Sequence, residues 1–193
     1  MKKIVLVTAV WSAGLAMSTA ASAADRPLEY RVLATSRTST MEKELNQAAA
    51  AGYRFSKAMG GKSANGGQEV IVAMVKNPAA PGQGILNYRL LATTRTSTMQ
   101  KEMQQAANDG YAYLEQTVFE TAFGGKEVVV IMELDPSRKV MHTSYRLLAT
   151  TKTSTMQEEL QEAGAQGYIL VGLTVGKTEM GGDEVVTILR RDD

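Results

Sequence analysis

The sequence predicts an α+β protein of three tandem β-α-β-β units, mainly antiparallel sheets each covered on one face by a helix. Two observations carry this. The thirteen residues from Tyr145 to Gln157 recur from Tyr88 with only Arg95 in place of Lys152, and more loosely from Tyr30, at intervals of 57 and 58 residues. Inside every copy a period of two gives way to a period of 3.6, a glycine follows, and an apolar run closes the unit.

The first strand of each unit is Leu28 to Thr35, Leu86 to Thr93 and Thr143 to Thr150. One face of it carries Leu28, Tyr30, Val32 and Ala34, matched by Tyr88, Leu90 and Ala92 and by Tyr145, Leu147 and Ala149. The other carries Arg31, Arg89 and Arg146, but also Leu33, Leu91 and Leu148.

A helix follows. Ser39 with Glu42, Ser97 with Gln100 and Ser154 with Gln157 have capping-box spacing, in which the serine takes an orphan N–H and the longer side chain reaches back. The stripe Met41, Leu45, Ala48, Ala49 repeats as Met99, Met103, Ala106, Ala107 and as Met156, Leu160, Ala163. Gly52, Gly110 and Gly167 stand where a helix stop requires positive φ.

Tyr53, Tyr111 and Tyr168 open a second strand, strongest over Tyr168 to Val175 and weakest in the first copy, where Arg54, Ser56 and Lys57 interrupt it. The pairs Gly66-Gly67, Gly124-Gly125 and Gly181-Gly182 signal hairpins. The third strands, Val70 to Val75, Val128 to Met132 and Val185 to Leu189, are apolar on both faces, so each is placed between the other two. The boundaries are then 1–23 for a signal peptide, 24–77, 86–135 and 143–193 for the units, and 78–85 and 136–142 for the linkers. A lone unit of this size would bury only about 60% of its unfolded surface. One helix covers one sheet face, so the face with Leu33 is expected to find its partner in another unit, in a sandwich or pseudo-threefold arrangement.

Residues 1–23 have the pattern of an export signal: Lys2 and Lys3, an apolar run from Ile4 to Met17, and Ala21-Ser22-Ala23 before the expected mature start at Ala24. A periplasmic or secreted location is expected, with no membrane span after processing. The chain has no cysteine, which excludes disulfides, thiolate chemistry and a lipid-modified cysteine. Taking the two lysines of the signal from 21 basic residues leaves 19 against 20 acidic ones, a balance that argues against a nucleic-acid partner.

The third unit, with Ala163-Gly-Ala-Gln-Gly-Tyr-Ile-Leu-Val171 leading through a hairpin into Val185-Val-Thr-Ile-Leu-Arg190, resembles a family of small bacterial βαββ domains of unknown function. That family has a G-W-E-L-V or G-Y-E-L-V step after its helix. The first unit departs from this step, with Arg54-Phe55-Ser56 in its place. The resemblance implies a fold and brings no catalytic residues with it.

The candidate contacts for an anion or a partner are Arg37, Ser39, Arg95, Ser97, Lys152 and Ser154, which set hydroxyls and a base at each helix N-terminus. The same residues would serve equally as a capped strand-to-helix turn. Arg31, Arg89 and Arg146 recur at a fixed offset from Glu69, Glu127 and Glu184, and are expected to form structural ion pairs across the sheet. Catalysis by a repeated carboxylate would need a second acid or a histidine, and His142 is the only histidine. Removing the signal leaves nine of the 11 methionines, most on the helix stripe or a core strand, where they fill gaps rather than bind Cu(I).

No cofactor and no enzymatic activity are expected. The reading is an exported, non-enzymatic protein-interaction or structural module of the cell envelope, able to form oligomers. The alternative is a small-ligand or anion binder using the loops at the helix N-termini.

Overall fold

The computed structural model describes residues 27–62, 67–80, 84–120, 126–139, 141–177 and 183–192. The first unit runs β1 (Glu29–Thr35), α1 (Thr38–Ala50), β2 (Arg54–Lys62) and β3 (Gln68–Lys76). The second runs β4 (Asn87–Thr93), α2 (Thr96–Asn108), β5 (Ala112–Glu120) and β6 (Lys126–Leu134). The third runs β7 (Thr143–Thr150), α3 (Thr153–Ala165), β8 (Ile169–Lys177) and β9 (Asp183–Asp192). Every sheet is antiparallel with its last strand in the centre: β1-β3-β2, β4-β6-β5 and β7-β9-β8. The proposed signal lies outside the described residues, as do Gly66, Gly124, Gly125, Gly181 and Gly182 of the hairpin pairs.

Each helix stops as its sequence dictates. Gly52, Gly110 and Gly167 have φ of +87°, +89° and +83°. The Gly52 N–H donates to the Ala49 carbonyl and the Tyr53 N–H to the Ala48 carbonyl, the paired bonds of a Schellman stop. The other two helices end the same way.

The helix starts differ from expectation. Each helix begins at the threonine before the proposed capping serine, so the N-cap positions belong to Arg37, Arg95 and Lys152, and no side chain caps them. Instead the hydroxyls of Thr35, Thr93 and Thr150 accept from the N–H groups of Arg37, Arg95 and Lys152. This local turn bond orders the loop and leaves the serines outside, exposed on the first turn.

The weak second strand of the first unit also forms in full. It carries a bulge between Phe55 and Lys57, repeated between Tyr113 and Glu115 and between Leu170 and Gly172. The extra residue re-aims the side chains around Ser56, so polar residues there do not break the strand.

The sheet faces are covered in the opposite sense to that expected. Each unit's own helix lies on the leucine face: Leu33 packs with Met41, Leu45, Val70, Val72 and Met74. It is the tyrosine face that needs the neighbour. Leu86, Tyr88, Val129 and Ile131, from the back of the second sheet, close the core over α1, and Tyr145, Leu147 and Ile188 close the core over α2 in turn. The three units therefore stack head to tail, sheet, helix, sheet, helix, sheet, helix. The core around α3 is the smallest, Leu148, Met156, Ala163 and Leu189, because among the described residues no further sheet lies over it.

Candidate functional site

Arg37, Ser39, Arg95, Ser97, Lys152 and Ser154 are all exposed at the starts of the three helices. The structure keeps them in three separate places, one per unit, rather than gathering them into one site. At the second of these, the Thr96 hydroxyl lies 3.4 Å from the carboxylate of Glu184 in the next unit. The side of this helix N-terminus where an anion would sit already faces a protein carboxylate.

The expected pairs Arg31–Glu69, Arg89–Glu127 and Arg146–Glu184 do not form. Register places Arg31 opposite Met74, Arg89 opposite Met132 and Arg146 opposite Leu189, whereas the glutamates lie at the far end of each central strand. The arginines turn to the helix stop instead. Arg31 and Arg89 lie 4.4 and 4.3 Å over the rings of Tyr53 and Tyr111. Arg89 also pairs with Asp109 at 2.9 Å, and Arg146 donates to the Gln166 side chain at 3.1 Å.

What the structure does bring together is the seam between units, and its principal side chains come from the helix flank. Glu42 accepts from the Leu90 N–H at 2.9 Å. Asn46, one turn later, accepts from the Tyr88 N–H and donates to the Tyr88 carbonyl, both at 2.8 Å. The second seam repeats the arrangement: Gln100 accepts from the Leu147 N–H at 3.0 Å, and Gln104 accepts from the Tyr145 N–H and donates to the Thr143 carbonyl. Two side chains spaced i, i+4 thus satisfy the outward backbone groups of the next unit's edge strand, as a further strand would.

A tyrosine closes each seam from the other direction. Tyr88 passes under the first unit, where its hydroxyl accepts from the Phe55 N–H at 2.9 Å and donates to the buried Glu133 carboxylate at 3.1 Å. Tyr145 does the same for the Tyr113 N–H at 2.8 Å. The N–H groups they satisfy are those beside the bulges. Burial raises the phenol pKa values of Tyr88, Tyr113 and Tyr145 above the ordinary tyrosine value.

Beside the helix the sheets touch directly. Glu115 accepts from the Ala58 N–H, and Thr117 from the Gly60 N–H at 2.6 Å. A Cβ on Gly60 would strike the Val118 carbonyl, so the close approach requires glycine.

The same surfaces lie uncovered at the two ends. Tyr30 of β1 is 66% exposed, against 2% for Tyr88 and 4% for Tyr145. Leu28 and Val32 are exposed beside it. At the far end Gln157 and Gln161 of α3, counterparts of the seam pairs Glu42–Asn46 and Gln100–Gln104, are exposed. So are Leu170, Leu173 and Val175 of β8.

The sequence singled out Glu42 and Gln100 only as capping residues, and Asn46, Gln104 and Glu115 not at all. The signal was present as a second polar residue four positions after each glutamate or glutamine. Its use depends on a strand 40 or so residues away.

No cluster of three or more His, Asp or Glu side chains suited to a metal ion occurs among the described residues. His142 lines an open cleft with Gln104, Asn108, Met141 and Ser144, where α2 meets the start of β7. No described helix is long and apolar enough to cross a membrane. Comparison with protein-family models, with curated proteins and with solved structures finds no match.

Proposed function

We propose that this chain is an exported, non-enzymatic module of the cell envelope that binds protein through the two ends of its stack. The observation that carries this reading is the pair of apolar end surfaces, Leu28, Tyr30 and Val32 on one and Leu170, Leu173 and Val175 on the other. Contiguous apolar patches rimmed by polar side chains are characteristic of interaction sites on soluble proteins. Export follows from the residue pattern of positions 1–23. A partner of small anionic type has less support, since the helix N-terminal residues are dispersed and one of the three starts faces Glu184.

Site-specific photo-crosslinking in whole cells tests this. A crosslinking residue at position 32 or 173 should give discrete protein adducts in the envelope fraction, and one at exposed Lys101 on α2 should give none. Equal, diffuse labelling from all three positions would contradict it.

A further inference from the structure

We infer that the protein at these end surfaces is a second copy of this chain, docked head to tail with α3 of one copy against β1 of the next. This rests on the proposed protein-binding role of the ends and names the partner. The seam is already built twice within one chain, and each half of a third seam stands open.

The correspondence is residue by residue. Repeat spacing aligns Gln157 with Gln100 and Glu42, and Gln161 with Gln104 and Asn46. It likewise aligns Val32 with Leu90 and Leu147, and Tyr30 with Tyr88 and Tyr145. Gln157 is thereby matched to the outward N–H of Val32, and Gln161 to the backbone of Tyr30, as Gln100 and Gln104 are matched to Leu147 and Tyr145. In return the Tyr30 hydroxyl reaches the N–H of Leu170, which stands beside its bulge as Phe55 and Tyr113 stand beside theirs. Both polar partners are of the right type in every pair.

Apolar surface matches as well. Ile71 and Ala73 of β3 occupy the positions of Val129 and Ile131 in β6 and of Val186 and Ile188 in β9. Those four are buried under the preceding unit, while Ile71 and Ala73 are only partly covered. Stacked-repeat proteins that remain single carry polar outer faces on their terminal units. Here, among the described residues, the front end has none, and at the rear Leu170, Leu173 and Val175 of β8 stand exposed beside the polar flank of α3. Because front and back differ, the contact is heterologous, and it builds a ring or a filament according to whether its rotation closes.

The test uses half-blocked chains, purified from expression of the complete sequence. Tyr30→Lys with Val32→Lys blocks the front, and Gln161→Arg with Leu173→Lys blocks the rear; all four positions are exposed, so each variant keeps its fold, checked by circular dichroism. Sedimentation velocity at about 100 µM, where micromolar association is visible, should show wild-type assemblies larger than a monomer. Either variant alone should be monomeric, its association weakened more than tenfold. Mixed in equal amounts, the two should form a one-to-one dimer through the intact halves and nothing larger.

A monomeric wild type, assemblies that survive either block, or a mixture that stays monomeric would overturn the inference. A monomeric wild type that still gives crosslinked adducts to another protein from positions 32 and 173 would leave the protein-binding reading standing without it. Absence of both would remove the two together.

Discussion

Asn46 holds Tyr88 by both of its backbone groups, accepting from the N–H and donating to the carbonyl at 2.8 Å across the first seam. A partly buried side chain on one unit thus finishes the edge strand of another. Removing it leaves two backbone groups without partners in a place water reaches poorly.

Asn46→Ala should therefore destabilise the chain by about 1–3 kcal/mol, the cost of unsatisfied buried polar groups. Gln161→Ala, at the matching but exposed position of α3, should change monomer stability by less than about 0.5 kcal/mol. Urea unfolding of both variants at low concentration checks the contrast. Equal effects would mean that Asn46 acts within its own helix.

Glycine substitutions separate seam from helix. Gly60→Ala drives a methyl group into the Val118 backbone and should cost about 2 kcal/mol or more, as overpacking of a rigid contact does. Gly164 lies within α3 with open space around its Cβ position, so Gly164→Ala should stabilise by roughly 0.5–1 kcal/mol. Thermal melting of the two variants should move in opposite directions.

Gly110 has φ of +89°, a conformation costly for any side chain and most of all for a β-branched one. Gly110→Val should lose more than the ~1 kcal/mol typical of glycine changes within helices. Denaturant titration reads this directly, and a neutral variant would mean that the Schellman stop contributes nothing.

The seam tyrosines set a pH limit. Tyr88, Tyr113 and Tyr145 have phenol pKa values raised by burial. A raised folded-state value means that the folded protein holds its protons more tightly than the unfolded chain. Their contribution is complete below the unfolded value of about 10 and declines as pH rises beyond it. Stability should fall steeply above pH ~10, and phenolate absorbance of these three groups should appear together with unfolding. Their ionisation at ordinary tyrosine pH in a folded chain would contradict the packing described for them.

Much of this fold was legible in the sequence because its signals are local. The helix stripe with Met41 and Leu45, the glycine stops and the apolar run of the central strand all depend on residues near one another, and the repeat writes them three times. Ser39 with Glu42 misleads for the same reason: the spacing suits a capping box, but Glu42 is drawn to the Leu90 N–H 48 residues away. Arg31 and Glu69 failed as a pair because a fixed offset in sequence does not specify register; antiparallel pairing put Met74 opposite Arg31. Which sheet face the helix would take was undecidable locally, since Leu33 and Tyr30 both suit a core. The choice follows from the stack, in which the tyrosine faces of the second and third sheets meet the helix of the unit before them.

The central claim is that the units share their cores rather than close them singly. It is tested most directly by excising the third unit, residues 143–193, and measuring its mass and melting. Removal of α2 and the second sheet exposes Tyr145, Leu147 and Ile188, which close the core over α2 in the whole chain. The account predicts a fragment that self-associates or folds poorly, while the whole chain unfolds as one cooperative body. A monomeric fragment with a sharp melting transition would contradict it.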